Sequence, residues 1–371
     1  MAHVLETDVF VVGGGPAGLA AAIAARQQGF QVTVADCASP PIDKACGEGL
    51  MPDSVQELRR LGVSLEPTDG EFFRGISFVG PQTAVTASFP HGLGLGVRRT
   101  RLHEIFLEQA EAIGVELVWR ARVGFHNNST ISLNGARVRS NWIIGADGHN
   151  SRVRGWAGLS AGRTSVLRFA LRRHYCVRRW SEHVEIYWGD HGQAYVTPIA
   201  ADTVCVALIS RRRWSSFEDG LCAFPQLAER LAGAAPASSV RGGLSISRRL
   251  RRVWRNNVAL VGEASGSVDA ITGEGMALSF RQALALAPAL ATGDLACYGA
   301  EHRRINRLPE FMARSMLLLD SSAAIRRRTL LALAKQPALF ERMLAVHVGE
   351  VPLKDFGALR FLDLGWRLLA A

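Results

Sequence analysis

The stretch Val9-Phe10-Val11-Val12-Gly13-Gly14-Gly15-Pro16-Ala17-Gly18 decides the fold. An apolar run of strand type leads into a glycine-rich turn, and a helix begins directly behind it. Pro16 suits a first helical turn, Leu19, Ala22, Ile23 and Arg26 follow, and Gly29 stops the helix. Gly13 permits the tight turn, Gly15 lets the backbone approach a pyrophosphate, and Gly18 lets helix and strand pack closely. The phosphates then rest on a helix N-terminus, where unpaired N–H groups and the helix dipole favour negative charge. A second strand, Gln31-Val32-Thr33-Val34-Ala35, ends in Asp36. That carboxylate lies roughly 20 residues past the glycines, where an acid takes ribose hydroxyls and repels a phosphorylated ribose. Strand, turn, helix and acid together predict a dinucleotide-binding βαβ unit in an α/β protein.

Composition bounds the rest. At 371 residues, 48% hydrophobic and 20% charged, the chain holds the core of two or three domains and is neither disordered nor repetitive. The N-terminal segment enters the first strand without a charged and apolar leader, and no apolar run reaches roughly 18 residues, so the reading is a cytoplasmic protein with no membrane span. The net charge of +10 raises nucleic acid, a membrane surface or acidic ligands as partners. Only Lys44, Lys335 and Lys354 among the 43 basic residues are lysine, a skew that points to GC-rich coding. The runs Arg211-Arg212-Arg213, Arg248-Arg249-Arg251-Arg252 and Arg326-Arg327-Arg328 lack aromatic interleaving and read as solvated faces, with no nucleic-acid partner. Cys37, Cys46, Cys176, Cys205, Cys222 and Cys297 show no ligand spacing, and the ten histidines form no HExxH group, so neither disulfides nor a metal are expected.

Further along, Lys44-Ala45-Cys46-Gly47-Glu48-Gly49-Leu50-Met51-Pro52 is a loop with two glycines flanking an acid. Ser54-Val55-Gln56-Glu57 fits a capping box for the helix that follows, which Gly62 ends. Phe72–Val79 and Ala84–Phe89 read as two strands of a hairpin inserted from another layer. A helix over Arg101–Ile113 returns the chain to short strands at Val115–Val118, Arg137–Val138 and Trp142–Ile144. A second glycine turn, Gly145-Ala146-Asp147-Gly148, follows. Val166–Tyr175, Val184–Trp188, Ala194–Ile199 and Thr203–Ile209 predict an antiparallel sheet separate from the nucleotide-binding layer. A helical stretch over Phe217–Leu231 and a strand at Leu244–Ser247 precede a third glycine-rich strand exit, Val258–Gly266. Asp269-Ala270-Ile271-Thr272-Gly273-Glu274-Gly275 then opens a long helix, and the tail is helical with a turn near Gln336-Pro337. The apolar and basic stretch Leu359–Leu369 leaves a peripheral membrane contact open, with a docked core helix as the simpler reading.

Four segments in order, GGGPAG at 13–18, CGEG at 46–49, GADG at 145–148 and GEASGSVDAITGEG at 262–275, resemble the flavoprotein monooxygenase (aromatic hydroxylase) and geranylgeranyl reductase superfamily of FAD-dependent oxidoreductases. The resemblance spans about the first 300 residues. It implies a Rossmann-like FAD-binding domain of glutathione-reductase type, discontinuous over 1–70, 98–160 and 250–300. A β-rich substrate domain (71–97 and 161–249) roofs the isoalloxazine, and a helical C-terminal region spans 301–371. By that resemblance Gly13, Gly15, Pro16, Ala17 and Gly18 meet the FAD pyrophosphate and Asp36 the adenosine ribose. Arg99, in Arg99-Thr100-Arg101-Leu102, contacts the flavin's phosphate or ribityl region, Asp147 braces the pyrophosphate, and Cys46 and Gly47 line the flavin. Gly262-Glu263 departs from the family's Gly-Asp by one methylene, which re-aims or removes a hydrogen bond to the ribityl chain. Gly273, Glu274 and Gly275 set backbone N–H groups near the flavin's pyrimidine edge.

FAD supports more than one chemistry. The leading expectation is an NAD(P)H-dependent monooxygenase that hydroxylates an aromatic or apolar secondary-metabolite-like small molecule through a C4a-hydroperoxyflavin, with NAD(P)H a transient donor because only one GxGxxG is present. The alternatives are a reductase of substrate carbon–carbon double bonds, which the Thr-Gly-Glu-Gly form and the cysteine-glycine loop resemble, and an electron-transfer or non-catalytic flavoprotein. Cys46 and Glu48 are the candidate catalytic residues, set against a buried cysteine and a structural acid. Tyr187, Trp188, Tyr195 and Pro198 are candidate pocket walls, set against core packing. The oligomeric state is not legible.

Overall fold

The parallel strands come from three distant parts of the chain. In this computed structural model, which describes residues 4–126 and 130–352, Val4–Val12 lies between Ala136–Gly145 and Val32–Ala35. Glu116–Val118 and Val258–Leu260 extend the sheet in parallel on either side. Val9 and Val11 face one helical layer with Leu19, Ile23, Phe106 and Phe280, whereas Phe10 and Val12 face the other side with Val123, Ile131 and Leu260. A strand buried on both faces explains the uninterrupted apolar run at its start. The helices Pro16–Gln27, Arg99–Ala112 and Gly275–Thr292 form the first layer.

A second sheet of nine strands runs Gly266–Ser267, Arg241–Leu250, Gly162–Cys176, Thr203–Ser210, Gly192–Ala200, Val184–Trp188, Gly75–Val79 and Ala84–Ser88, with Ala235–Pro236 beside Gly162–Cys176. It is antiparallel except where Val184–Trp188 and Gly75–Val79 pair in parallel. One face packs against C-terminal helices through Phe78, Trp188, Leu330, Phe340 and Leu344, and the other against Phe217, Phe224 and Leu227. The chain is thus an α/β protein in which a Rossmann-like layer, an inserted and almost wholly antiparallel sheet, and a helical C-terminal region pack together.

Local details differ from the sequence expectations for physical reasons. The helix Pro52–Arg60 starts at Pro52, whose fixed φ suits a first helical position, so Ser54 lies inside it and the expected capping box does not form. The run Phe72–Val79 divides at Arg74: Gly70–Phe73 joins Gly94–Val97 in a three-stranded sheet and Gly75–Val79 joins the large one. Phe217–Leu231 is two short helices, Phe217–Cys222 and Pro225–Arg230, because Pro225 supplies no N–H to continue the first. Arg137–Val138 and Trp142–Ile144 belong to one strand, Ala136–Gly145. The stretch Leu359–Leu369 lies outside the described residues.

Candidate active site

A cavity of about 780 Å³ opens where the parallel strands end, at Val12, Ala35 and Ala146, and continues against the face of the second sheet. The first glycine turn lines it through Gly13, Gly15, Pro16 and Ala17. Gly13 has φ +111°, and a Cβ there would strike the Ala146 carbonyl; a Cβ on Gly18 would strike the carbonyl of Gly13. Gly15 has no neighbour in the direction of a Cβ and faces the cavity. The turn is held from beneath by Asp36, whose Oδ2 accepts from Gly14 N (2.7 Å) and whose Oδ1 accepts from Ala38 N (2.7 Å). His103, driven toward its neutral form mainly by burial, donates Nε2–H to the Gly14 carbonyl at 2.8 Å.

Among the described residues, Asp147, Arg99 and Arg172 on the wall each carry a buried atom without a hydrogen-bond partner. Asp147 Oδ2 caps the helix Arg152–Trp156 by accepting from Arg152 N (2.7 Å) and Val153 N (3.1 Å), which leaves Oδ1 buried and unsatisfied. Arg99 opens its helix with a buried, unpartnered Nε. An unsatisfied acceptor and an unsatisfied cationic donor, both beside the cavity, are costly unless a ligand completes them. Arg154, which the sequence reading passed over, ties the second and third glycine turns together through His149 O (2.6 Å) and Ala264 O (3.1 Å).

The third motif is built as follows. Gly262 has φ +59°, and its N–H donates to Gln282 Oε1 at 2.8 Å. Glu263 reaches Lys44 Nζ at 2.5 Å, so the longer side chain is committed to the wall of the cavity. Gly273 and Gly275 line the cavity at the start of the helix Gly275–Thr292, with open space where side chains would stand. The Glu274 side chain turns away into a buried cluster with Asp53, Arg281 and His347, and burial raises its pKa.

Cys46, Gly47 and Glu48 line the same cavity. Glu48 holds a left-handed backbone, φ 58°, and is 2% exposed. Its Oε1 accepts from Arg99 N (3.1 Å) and its Oε2 lies 2.6 Å from His174 Nε2; His174 Nδ1 lies 2.9 Å from Ser238 Oγ, which is partly exposed. Arg172 Nε stands 3.9 Å from Glu48 Oε1. Glu48, His174 and Cys205 are also the one cluster of possible metal ligands among the described residues, and the Arg172 guanidinium already supplies positive charge there. The Cys46 sulfur accepts from Glu48 N at 3.4 Å, and its carbonyl accepts from the Cys205 thiol, whose pKa burial pushes up.

Strand alternation decides the chamber walls. Ile76, Val184, Ile186, Tyr195, Thr197, Ala207 and Ile209 face inward. Tyr187 lies on the opposite face, bonded to Glu185 at 2.6 Å. Trp188 packs on Phe78 beyond the cavity, and Pro198 lies behind it. Of the four aromatic or proline walls expected from sequence, Tyr195 lines the chamber, and its hydroxyl donates to Ile271 O at 2.8 Å. Arg172 and His174 were legible only as charged and polar residues within an apolar strand.

Residues 6–293 match the family described as FAD binding domain. The chain belongs to the FAD binding domain family. It is 29% identical to the menaquinone reductase of Mycobacterium tuberculosis over 318 residues, 78% of each chain. Digeranylgeranylglycerophospholipid reductase 1 of Methanothermobacter thermautotrophicus is 25% identical over 303 residues, 74% of each. The rifampicin monooxygenase of Streptomyces venezuelae is 30% identical over 165 residues, 41% of this chain and 34% of that one. In fold, a flavoprotein/dehydrogenase from Cytophaga hutchinsonii superposes with a TM-score of 0.79 at 19% identity over 94% of both chains. The protein is an FAD-dependent oxidoreductase. The cavity fits that cofactor: Gly15 leaves room where a pyrophosphate would lie, Asp36 lines the cavity at the end of the second strand, and Arg99 and Asp147 carry the unpartnered atoms that a phosphate and hydroxyls would complete.

Proposed function

We propose that this flavoenzyme is a reductase that saturates a carbon–carbon double bond in a long apolar, isoprenoid-type substrate, with NAD(P)H as the transient external donor. The observation that carries this reading is the chamber beyond the dinucleotide cradle. Most of its inward side chains from the sheet are apolar, Ile76, Val184, Ile186, Ala207 and Ile209; Thr197 adds a hydroxyl, and the Tyr195 hydroxyl is engaged by Ile271. A chain of methyl-branched units is matched by such walls. The reductases named above, one of menaquinone and one of a geranylgeranyl lipid, align along about three quarters of this chain and support the same reading.

Bound FAD would supply a hydride. The protein's own residues do the rest. Gly13, Gly15, Asp36, Arg99 and Asp147 hold and orient the cofactor, and the apolar walls exclude water from the reacting carbons. The second carbon needs a proton, and the line Glu48, His174 and Ser238 runs from the cavity edge to a partly exposed hydroxyl. A proton held at Glu48 Oε2 can be replaced through the imidazole without opening the chamber.

A second reading, monooxygenation, is supported by the local match to the rifampicin monooxygenase. One experiment separates the two. Anaerobic holoenzyme reduced with NAD(P)H is mixed with a menaquinone bearing an unsaturated isoprenoid chain. The reductase reading expects the oxidised flavin spectrum to return and the product, once its ring is reoxidised to the quinone in air, to keep two added hydrogens in the isoprenoid chain; a product that reverts to the starting menaquinone would overturn it. Reoxidation only after oxygen is admitted, with labelled oxygen in the product, would overturn it.

A further inference from the structure

The helix Leu295–Ser321 turns an unusual face outward. His302, Pro309, Ala313 and Asp320 are buried on its inner side. Arg304, Arg307, Phe311, Arg314 and Leu318 are exposed and succeed one another at intervals of three and four residues, which places them within an arc of about 80° on the opposite side. Phe311 is 40% exposed and Leu318 is 59%. Nine large hydrophobic side chains are exposed among the described residues, and four of them, Phe311, Leu318, Ile325 and Leu331, fall on this helix and the next, Ala323–Lys335.

The same segment concentrates charge. Residues 303–335 carry eight basic side chains against Glu310 and Asp320, a net +6 of the chain's +10. Both acids are neutralised locally, Glu310 by Arg249 at 3.7 Å and Asp320 by Arg211 at 2.9 Å. Arg304 pairs with Glu301, whereas Arg307 and Arg314 have no ion pair among the described residues.

We infer that this face docks the enzyme on an anionic lipid surface. A protein interface gathers its apolar side chains into a dry centre, but here arginines separate them. At a bilayer surface that alternation is favourable. Guanidinium groups stay at the level of the lipid phosphates and bind them in a bidentate manner, while Leu318 enters the acyl boundary. No helix among the described residues is long and apolar enough to cross a membrane, and the contact inferred here is a peripheral one. The inference stands on this surface alone and does not depend on which reaction the cavity performs.

Flotation of the FAD-loaded full chain with vesicles of phosphatidylcholine, with and without phosphatidylglycerol, tests it. The expectation is at least about tenfold stronger partition onto the phosphatidylglycerol vesicles, weakening as salt is raised. That preference is lost in Arg307→Glu/Arg314→Glu and reduced in Leu318→Ser, while the flavin spectrum and turnover of detergent-dispersed substrate are unchanged. Equal partition onto both vesicles would overturn the inference. So would binding that survives Arg307→Glu/Arg314→Glu but disappears on removal of residues 353–371, or a dimer in solution that Arg314→Glu dissociates.

Discussion

Gly15 and Gly18 stand three residues apart in one motif and answer to different forces. Gly15 has φ −73° and ψ 178°, a conformation any residue adopts, and open cavity beside it. Gly18 has the Gly13 carbonyl where a Cβ would sit. Gly15→Val is therefore expected to leave the apoprotein within about 0.5 kcal/mol of wild type and to weaken FAD binding by at least about 100-fold. Gly18→Ala is expected to lower unfolding free energy by about 1–3 kcal/mol through overpacking. Equilibrium dialysis with FAD and denaturant unfolding of both apoproteins check the pair; a fully flavinated Gly15→Val protein would refute the cradle. Glu48 makes a related point. Its acidic type and glycine neighbours were legible, but the left-handed backbone and the contact with His174, 126 positions away, belong to the folded chain.

At the scale of elements, the helix Leu295–Ser321 is pinned to the third glycine turn. Asp294 Oδ1 caps it through Ala296 N (2.9 Å) and Cys297 N (3.2 Å), Tyr298 OH donates to Leu260 O (2.6 Å), and His302 Nε2 donates to Ser265 Oγ (2.9 Å). Burial, assisted by Arg303, lowers the pKa of His302 from 6.5 to about 4. A base whose folded pKa is depressed leaves stability undiminished above the unfolded value. As pH falls from about 6.5 towards 4 the unfolded chain takes up the proton first, and this one group removes about 3 kcal/mol, after which its effect is flat. Thermal melts of wild type and His302→Gln at pH about 7.5 and about 5 check the sign, because the variant should lose less of its midpoint on acidification. An equal loss in both proteins would show that His302 is not the sensitive group. Nothing in the local sequence distinguishes His302 from the other nine histidines; the helix had to be packed before its desolvation existed.

For the whole molecule, a buried polar network joins the second sheet to the C-terminal helices. Arg168, 0% exposed, donates to Asp269 Oδ1 at 3.0 Å and to Gln193; Gln193 donates to Asp320, which Arg211 approaches at 2.9 Å. Removing one partner strands a charge in the interior. Asp269→Ala is expected to cost about 3–5 kcal/mol in denaturant unfolding, with Asp269→Asn milder because its amide oxygen still accepts from Arg168. A loss below about 1 kcal/mol for Asp269→Ala would mean that solvent reaches the network.

The sequence by itself determined the backbone of the binding end: the four glycine turns in order, the apolar strands that lead into three of them, and the helix behind the first. These are local matters of φ, steric room and a strand buried on both faces, so they survive without knowledge of the neighbours. Only the tertiary structure decided the chamber and the interior charges. Whether Tyr187 or Ile186 meets the ligand depends on which face of the sheet is covered by which layer, and alternation leaves that parity undefined until the layers pack. Glu274 turns from the cavity toward Asp53, Arg281 and His347 because residues far apart in the chain converge there. Desolvation and ion pairing act through space, and only folding sets those distances.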